Sequence, residues 1–159
     1  LNWWLILFTL PTLLQGWLVG LLSLTLGFSQ YPSVKRGVLM TFWRPWFANR
    51  WRYSTTLGAW MGMHPDHGGT TEYHEMIHIQ QYEDMNCLGA LIGGIVCIFN
   101  WRLGLILWAF SGMMWLLPNF ITGWIRYGNG YYGSSHERFA YCCTAIETAR
   151  DGRPIGIEP

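Results

Sequence analysis

Charged residues are absent from three stretches of the chain: 1–34, 85–101 and 103–125. A helix rising about 1.5 Å per residue needs about 20 apolar residues to cross a hydrocarbon core of about 30 Å. The first and third stretches supply that length and the second falls somewhat short. The pattern predicts a transmembrane helix over 2–28, kinked at Pro11, and another over 103–125. Between them, residues 72–99 read as a helix whose first half lies at the interface and whose second half enters the membrane. Residues 37–60 mix β-branched, aromatic and basic side chains, with Pro45 and Asn49 as turn signals. That segment predicts a short interfacial β-hairpin. After the Gly128-Asn129-Gly130 loop, a last helix is predicted over 136–150, capped by Ser134 or Ser135. The expected fold is a single domain over 1–159. It is an all-α integral membrane protein of about three membrane-inserted helices plus a C-terminal helix, with the hairpin before the 72–99 helix.

Composition points the same way. Charged residues make up 12% of the chain, against roughly 25% in soluble domains. Aromatic residues make up 17%, and their amphipathic rings favour the headgroup zone. Membrane lipids are therefore the first expected partner. The net charge of +1 implies no nucleic-acid partner. Lys35, Arg36, Arg44, Arg50 and Arg52 follow the first apolar run closely, which places that flank in the cytoplasm and the amino terminus outside. No basic flank precedes the run, and it is too long for a signal h-region, which argues against a cleaved secretory signal. Cys87, Cys97, Cys142 and Cys143 have neither C-x-x-C nor zinc-finger spacing and read as packing residues.

Four of the five histidines fall between His64 and His78, and the fifth is His136. Among them, His74-Glu75-Met76-Ile77-His78 matches H-E-x-x-H. On a helix the two imidazoles lie one turn apart on one face and can share a metal ion, with Glu75 beside them as a general base. A catalytic zinc site takes three protein ligands and keeps an open position. Glu137 is the candidate third ligand, and His136 competes for that role. The bland alternative for Glu137 is an ion pair with Arg138 or Arg126. Gln81 and Glu83 are candidates to orient a ligand histidine, and Tyr141 to stabilise an oxyanion. His64 and His67, flanking Pro65 and followed by glycines, read as loop residues.

The run His74-Glu75-Met76-Ile77-His78-Ile79-Gln80-Gln81-Tyr82-Glu83, an apolar hairpin, and then Glu137-Arg138-Phe139-Ala140-Tyr141 resembles a group of small bacterial membrane proteins. Their pattern is H-E-x-x-H-x-x-Q-Y-E followed by E-x-x-A-Y. It is also similar to the gluzincin arrangement of metallopeptidases, in which a later helical Glu completes the site. The resemblance covers about residues 70–150. It implies His74, His78 and Glu137 as zinc ligands, Glu75 as the base, and the bacterial inner membrane as the location, with the site at the cytoplasmic interface. Gln80 stands where such proteins often carry Arg, and residues 37–60 have no recognised counterpart.

Three functions compete. The leading one is a membrane zinc metallopeptidase-like hydrolase acting on a peptide or protein, with Glu75 and Tyr141 as catalytic groups. The second is a non-catalytic structural or assembly subunit of a larger membrane protein complex that keeps a metallopeptidase-like site. The third, a membrane iron enzyme, is disfavoured. Di-iron bundles use two E-x-x-H motifs, and Glu137 is followed three residues on by Ala140.

Overall fold

A computed structural model describes residues 3–51, 53–67, 69–114 and 116–144. The chain opens with helix α1 (Trp3–Thr25), which continues through Pro11. The helix ends on Gly27, whose φ of 76° suits a residue without Cβ. There the Phe28 N–H reaches the Ser23 carbonyl (2.9 Å) and the Gly27 N–H reaches Leu24 (3.1 Å), the paired bonds of a Schellman cap. This turn delivers the chain into a four-stranded sheet of β1 (Ser29–Lys35), β2 (Val38–Trp43), β3 (Thr55–Leu57) and β4 (Trp60–Met63). A short helix, α2 (Pro45–Ala48), follows β2. The strand order is β1-β2-β4-β3. β1–β2 and β3–β4 are antiparallel, while β2 and β4 run parallel with Leu39 opposite Trp60.

Alternation along the strands gives the sheet two faces. Val38, Met40, Met61 and Met63 pack with Ile79 of α3 (Gly69–Cys97). Leu39, Trp43 and Trp60 point the other way, against Val19 of α1. Contact with α1 is close: the Ala59 N–H donates to the Thr12 carbonyl at 2.9 Å, and a Cβ at Gly16 would overlap the Ala59 backbone. The sheet is therefore sandwiched between α1 and the first half of α3. Helices α4 (Trp101–Met114), α5 (Leu116–Tyr127) and α6 (Ser135–Cys143) complete the described fold.

This mixed sheet overturns the all-α expectation. The hairpin expected over 37–60 is part of a larger unit that begins at Ser29 and ends at Met63. Its hairpin turns are Arg36-Gly37 and Gly58-Ala59 rather than Pro45 or Asn49, and Pro45 opens α2. The three-span expectation fails as well. Among the described residues, one helix (Leu7–Thr25, within α1) is long and apolar enough to cross a membrane. The expected 103–125 helix is broken into α4 and α5, bent by 51°, and passes that test only as a pair. Pro118 in the first turn of α5 supplies a physical reason, because its ring clashes with the carbonyl four residues back and it donates no hydrogen bond. Helix α3 is long, but Glu72, Glu75, Glu83 and Asp84 make its first half too polar to span. Of the helix expected over 136–150, Ser135–Cys143 is present and residues 145–150 lie outside the described ones. Cys142 and Cys143 are exposed rather than packed.

Candidate metal centre

His74 and His78 are one turn apart on α3 and both are buried. Helix α6 lies across that turn and brings Glu137 to them, with the residue only 2% exposed. The two Nε2 atoms are 3.1 Å apart. Glu137 Oε2 lies 3.2 Å from His74 Nε2, and Oε1 lies 3.3 Å from His78 Nε2. A tetrahedral ion with ligand atoms at about 2.0–2.1 Å separates them from one another by about 3.3–3.4 Å. The three side chains thus present two nitrogens and a carboxylate at nearly that spacing. They form a buried group able to hold a metal ion.

The protonation pattern of His78 follows from its neighbours. Gln81 Nε2 donates to the His136 carbonyl at 3.1 Å, which turns its Oε1 towards His78 Nδ1 at 2.9 Å. A carboxamide oxygen only accepts, so Nδ1 carries a proton and the neutral ring keeps its lone pair on Nε2, facing Glu137. His74 is held differently: Tyr141 stacks on it with ring centroids 4.6 Å apart. Its Nδ1 is buried without a hydrogen-bond partner among the described residues.

Charge is balanced inside the group. Burial lowers the pKa of His78, but the bonded Glu137 carboxylate outweighs that effect and holds it at about 9. Burial alone would raise Glu137, yet hydrogen bonds from His74 and His78, and their charge, keep it well below the usual carboxylate range. Burial raises Glu75, partly offset by His78 and by the Thr56 hydroxyl bonded to Oε2. Such a carboxyl is suited to taking up a proton and giving it back. Burial pushes His136 down to about 4, so it is neutral at pH 7.

Glu75, His78 and Glu137 line a cavity of about 420 Å³. Thr55 and Thr56 of β3, Gln81, Tyr82, Tyr131 and His136 also line it, together with Leu116, Leu117 and Phe120 of α5. Tyr141, expected as a catalytic group, instead supports His74 and is absent from the lining. Two tyrosines line the cavity instead, Tyr82 and Tyr131. Sequence reasoning missed Tyr131 and Thr56. The only signal for the first was the Asn129 turn, whose side chain accepts from the Tyr131 and Tyr132 N–H groups.

The bland reading of Glu137 does not hold. It pairs with His74 and His78, whereas Arg138 lies over the Tyr127 ring at 4.4 Å. His136 is a neighbour of Glu137, its Nε2 4.0 Å from Oε1, and it also lines the cavity. His64 and His67 form a separate loop cluster in which Ser54 Oγ lies 2.8 Å from His67 Nδ1 and accepts the His64 N–H. Glu83 is absent from the cavity lining, and its carboxyl is raised by burial and then by Asp84. The chain matches no protein-family model, no curated protein and no solved structure.

Proposed function

We propose that this chain is a membrane-anchored, zinc-dependent metallopeptidase-like hydrolase, with α1 in the bilayer of the bacterial inner membrane and the site at its cytoplasmic interface. The observation that carries the reading is the convergence of His74, His78 and Glu137, with Glu75, His78 and Glu137 lining one cavity. Two imidazoles and a carboxylate are a zinc donor set of the hydrolytic kind. Zinc held there supplies a Lewis acid and lowers the pKa of water. Glu75 takes the proton of the attacking water and returns it to the departing amine. Tyr131 and His136, which also line the cavity, donate to the carbonyl oxygen as charge develops on it. Gln81 holds His78 in the tautomer that faces the metal.

A membrane location is supported by outward-facing apolar side chains on several helices, among them Leu14, Leu18 and Leu22 of α1 and Leu91 and Ile95 of α3. Soluble monomers rarely expose continuous apolar surface on this scale.

The test is metal analysis of the purified full-length chain together with hydrolysis of a fluorogenic peptide library. One zinc per chain is expected, lost in His74→Ala. In Glu75→Gln zinc should stay while hydrolysis falls by about 10²-fold or more. A chain that purifies without metal and takes up none overturns the reading.

The same exposed apolar surface also favours the second reading, a non-catalytic subunit of a larger membrane complex. In that case the chain is recovered only in stoichiometric association, and Glu75→Gln leaves the assembly and its function intact.

A further inference from the structure

Charge is distributed unevenly along the chain. No acidic residue occurs before Asp66, whereas five basic ones, Lys35, Arg36, Arg44, Arg50 and Arg52, precede it. Lys35 is paired with Glu72. Arg44 and Arg50 are exposed, and neither has an acidic partner among the described residues. They flank the short helix α2 on either side.

Bonds to the end of α1 fix where α2 sits. The Arg44 N–H donates to the Phe28 carbonyl at 3.0 Å, Trp46 Nε1 donates to the Gly27 carbonyl at 3.2 Å, and the Trp46 ring lies 5.6 Å from that of Phe28. After α2, the Arg50 and Trp51 N–H groups both donate to the Phe47 carbonyl, at 2.9 and 2.8 Å, which holds these two residues at the helix end. Trp46 is 47% exposed and Trp51 45%.

The side of α1 that leads to this corner is apolar. Leu14, Leu18, Leu22 and Leu26 follow one another at four-residue spacing and are all exposed, and the Leu26 N–H still donates to the Leu22 carbonyl at 2.9 Å. From Leu14 to Leu26 the helix covers about 18 Å, a little more than the hydrocarbon of one leaflet at about 15 Å. The order along the outside of the molecule is therefore leucine, then indole, then guanidinium. A bilayer presents the matching order of acyl chain, headgroup boundary and charged headgroup. A soluble phosphate or an acidic protein segment would pair with the guanidinium groups but leave the indoles and leucines in water.

We propose that the α2 corner is a docking surface for anionic phospholipid headgroups, in which Arg44 and Arg50 hold lipid phosphates while Trp46 and Trp51 seat at the boundary between headgroups and acyl chains. The proposal rests on the membrane location of α1 and is independent of the metal centre.

The test uses the full chain in nanodiscs of phosphatidylcholine and phosphatidylglycerol in equal amounts, and counts by mass spectrometry the lipids that stay bound when the chain is released. Each basic residue at an anionic surface contributes about fivefold, so phosphatidylglycerol should be retained at least about tenfold over phosphatidylcholine. Arg44→Gln with Arg50→Gln should bring that ratio under about twofold, and Arg44→Lys with Arg50→Lys should keep most of it. Arg102→Gln, at the start of α4, should leave it unchanged. A second, optical readout covers the indole: the emission lost in Trp46→Phe should be quenched by phosphatidylcholine brominated next to the headgroup. Equal retention of the two lipids by the unaltered chain, with Trp46 quenched, overturns the headgroup docking and leaves the membrane location standing. A preference that survives the double Gln substitution belongs to other cations and overturns the assignment to Arg44 and Arg50. A preference abolished by millimolar inorganic phosphate assigns the pair to a soluble anion and overturns the lipid. Trp46 unquenched while other tryptophans are quenched removes the corner from the bilayer surface and overturns the proposal alone. No quenching of any tryptophan overturns the membrane location, and this proposal with it.

Discussion

Gln81 bridges His78 Nδ1 and the His136 carbonyl, so its amide ties α3 to α6 and fixes the ring that faces Glu137. Groups in this position typically contribute about 10–100-fold to metal affinity. Gln81→Ala is expected to weaken zinc binding within that range, and Gln81→Glu, which keeps an acceptor on Nδ1, to restore most of it; a chelator competition series reads both. The same residues set a pH signature once metal is stripped. His78 moves up from 6.5 to about 9 on folding, so the folded state binds the extra proton between those values. Its contribution to stability is full below about pH 6.5 and is lost as pH rises through about 9. Glu75, also raised, moves stability the same way wherever it is still protonated in the folded state. The chelated protein should therefore lose thermal stability from pH 6.5 to 9. The zinc-dependent gain in Tm should grow over the same interval, because the metal competes with the His78 proton. A flat profile for the chelated protein contradicts the pairing of His78 with Glu137.

At the level of elements, β3 holds Glu75, the proposed base, in place. Its Thr56 hydroxyl is bonded to the Glu75 carboxylate and opposes the rise that burial imposes. Thr56→Val keeps the strand's shape and removes that donor, at a cost of about 1–3 kcal/mol for a buried carboxylate left without its partner. Glu75 should then stay protonated to higher pH, visible as an upward shift in the titration of its infrared carboxylic-acid band; an unmoved band rules out the contact. This support was illegible in the sequence. The residues of the candidate metal centre were legible, because two of them share a helix turn and the third lies in a short motif on a later helix. The sheet was hidden for a physical reason. Its central pair, β2 and β4, is parallel and joined by a long crossover, so neither strand betrays its partner locally. β2 is also buried on both sides and reads as a continuous apolar run rather than an alternation. The break between α4 and α5 did have a local mark, Pro118, but an uncharged run of membrane length outweighed it.

For the molecule as a whole, the question is what holds α1, α3 and α4 together when their outer faces are apolar. Water drives apolar helices together, but lipid does not, and packing and polar contacts must then supply the association. Both are present at the seam. Gly93 and Gly104 approach so closely that a Cβ on either would meet the other's carbonyl oxygen. Asn86, 1% exposed, donates to the Thr12 hydroxyl and accepts the Ser111 hydroxyl (2.9 Å) and the Gly112 N–H (3.0 Å). Gly112 also lines the cavity, so this latch connects the helical seam to the site. Asn86→Ala removes all three bonds, at about 1–3 kcal/mol for each group left without a partner, while Ser111 keeps its bond to the Trp108 carbonyl. By contrast, Leu91→Ala on the exposed face of α3 removes nothing the fold buries. Asn86→Ala should lower the thermal stability of zinc-loaded and chelated protein by similar amounts, since the loss lies in helix association rather than in the ligands. Leu91→Ala should leave Tm nearly unchanged. Equal effects of the two substitutions would mean that apolar contact, and not the polar latch, joins these helices.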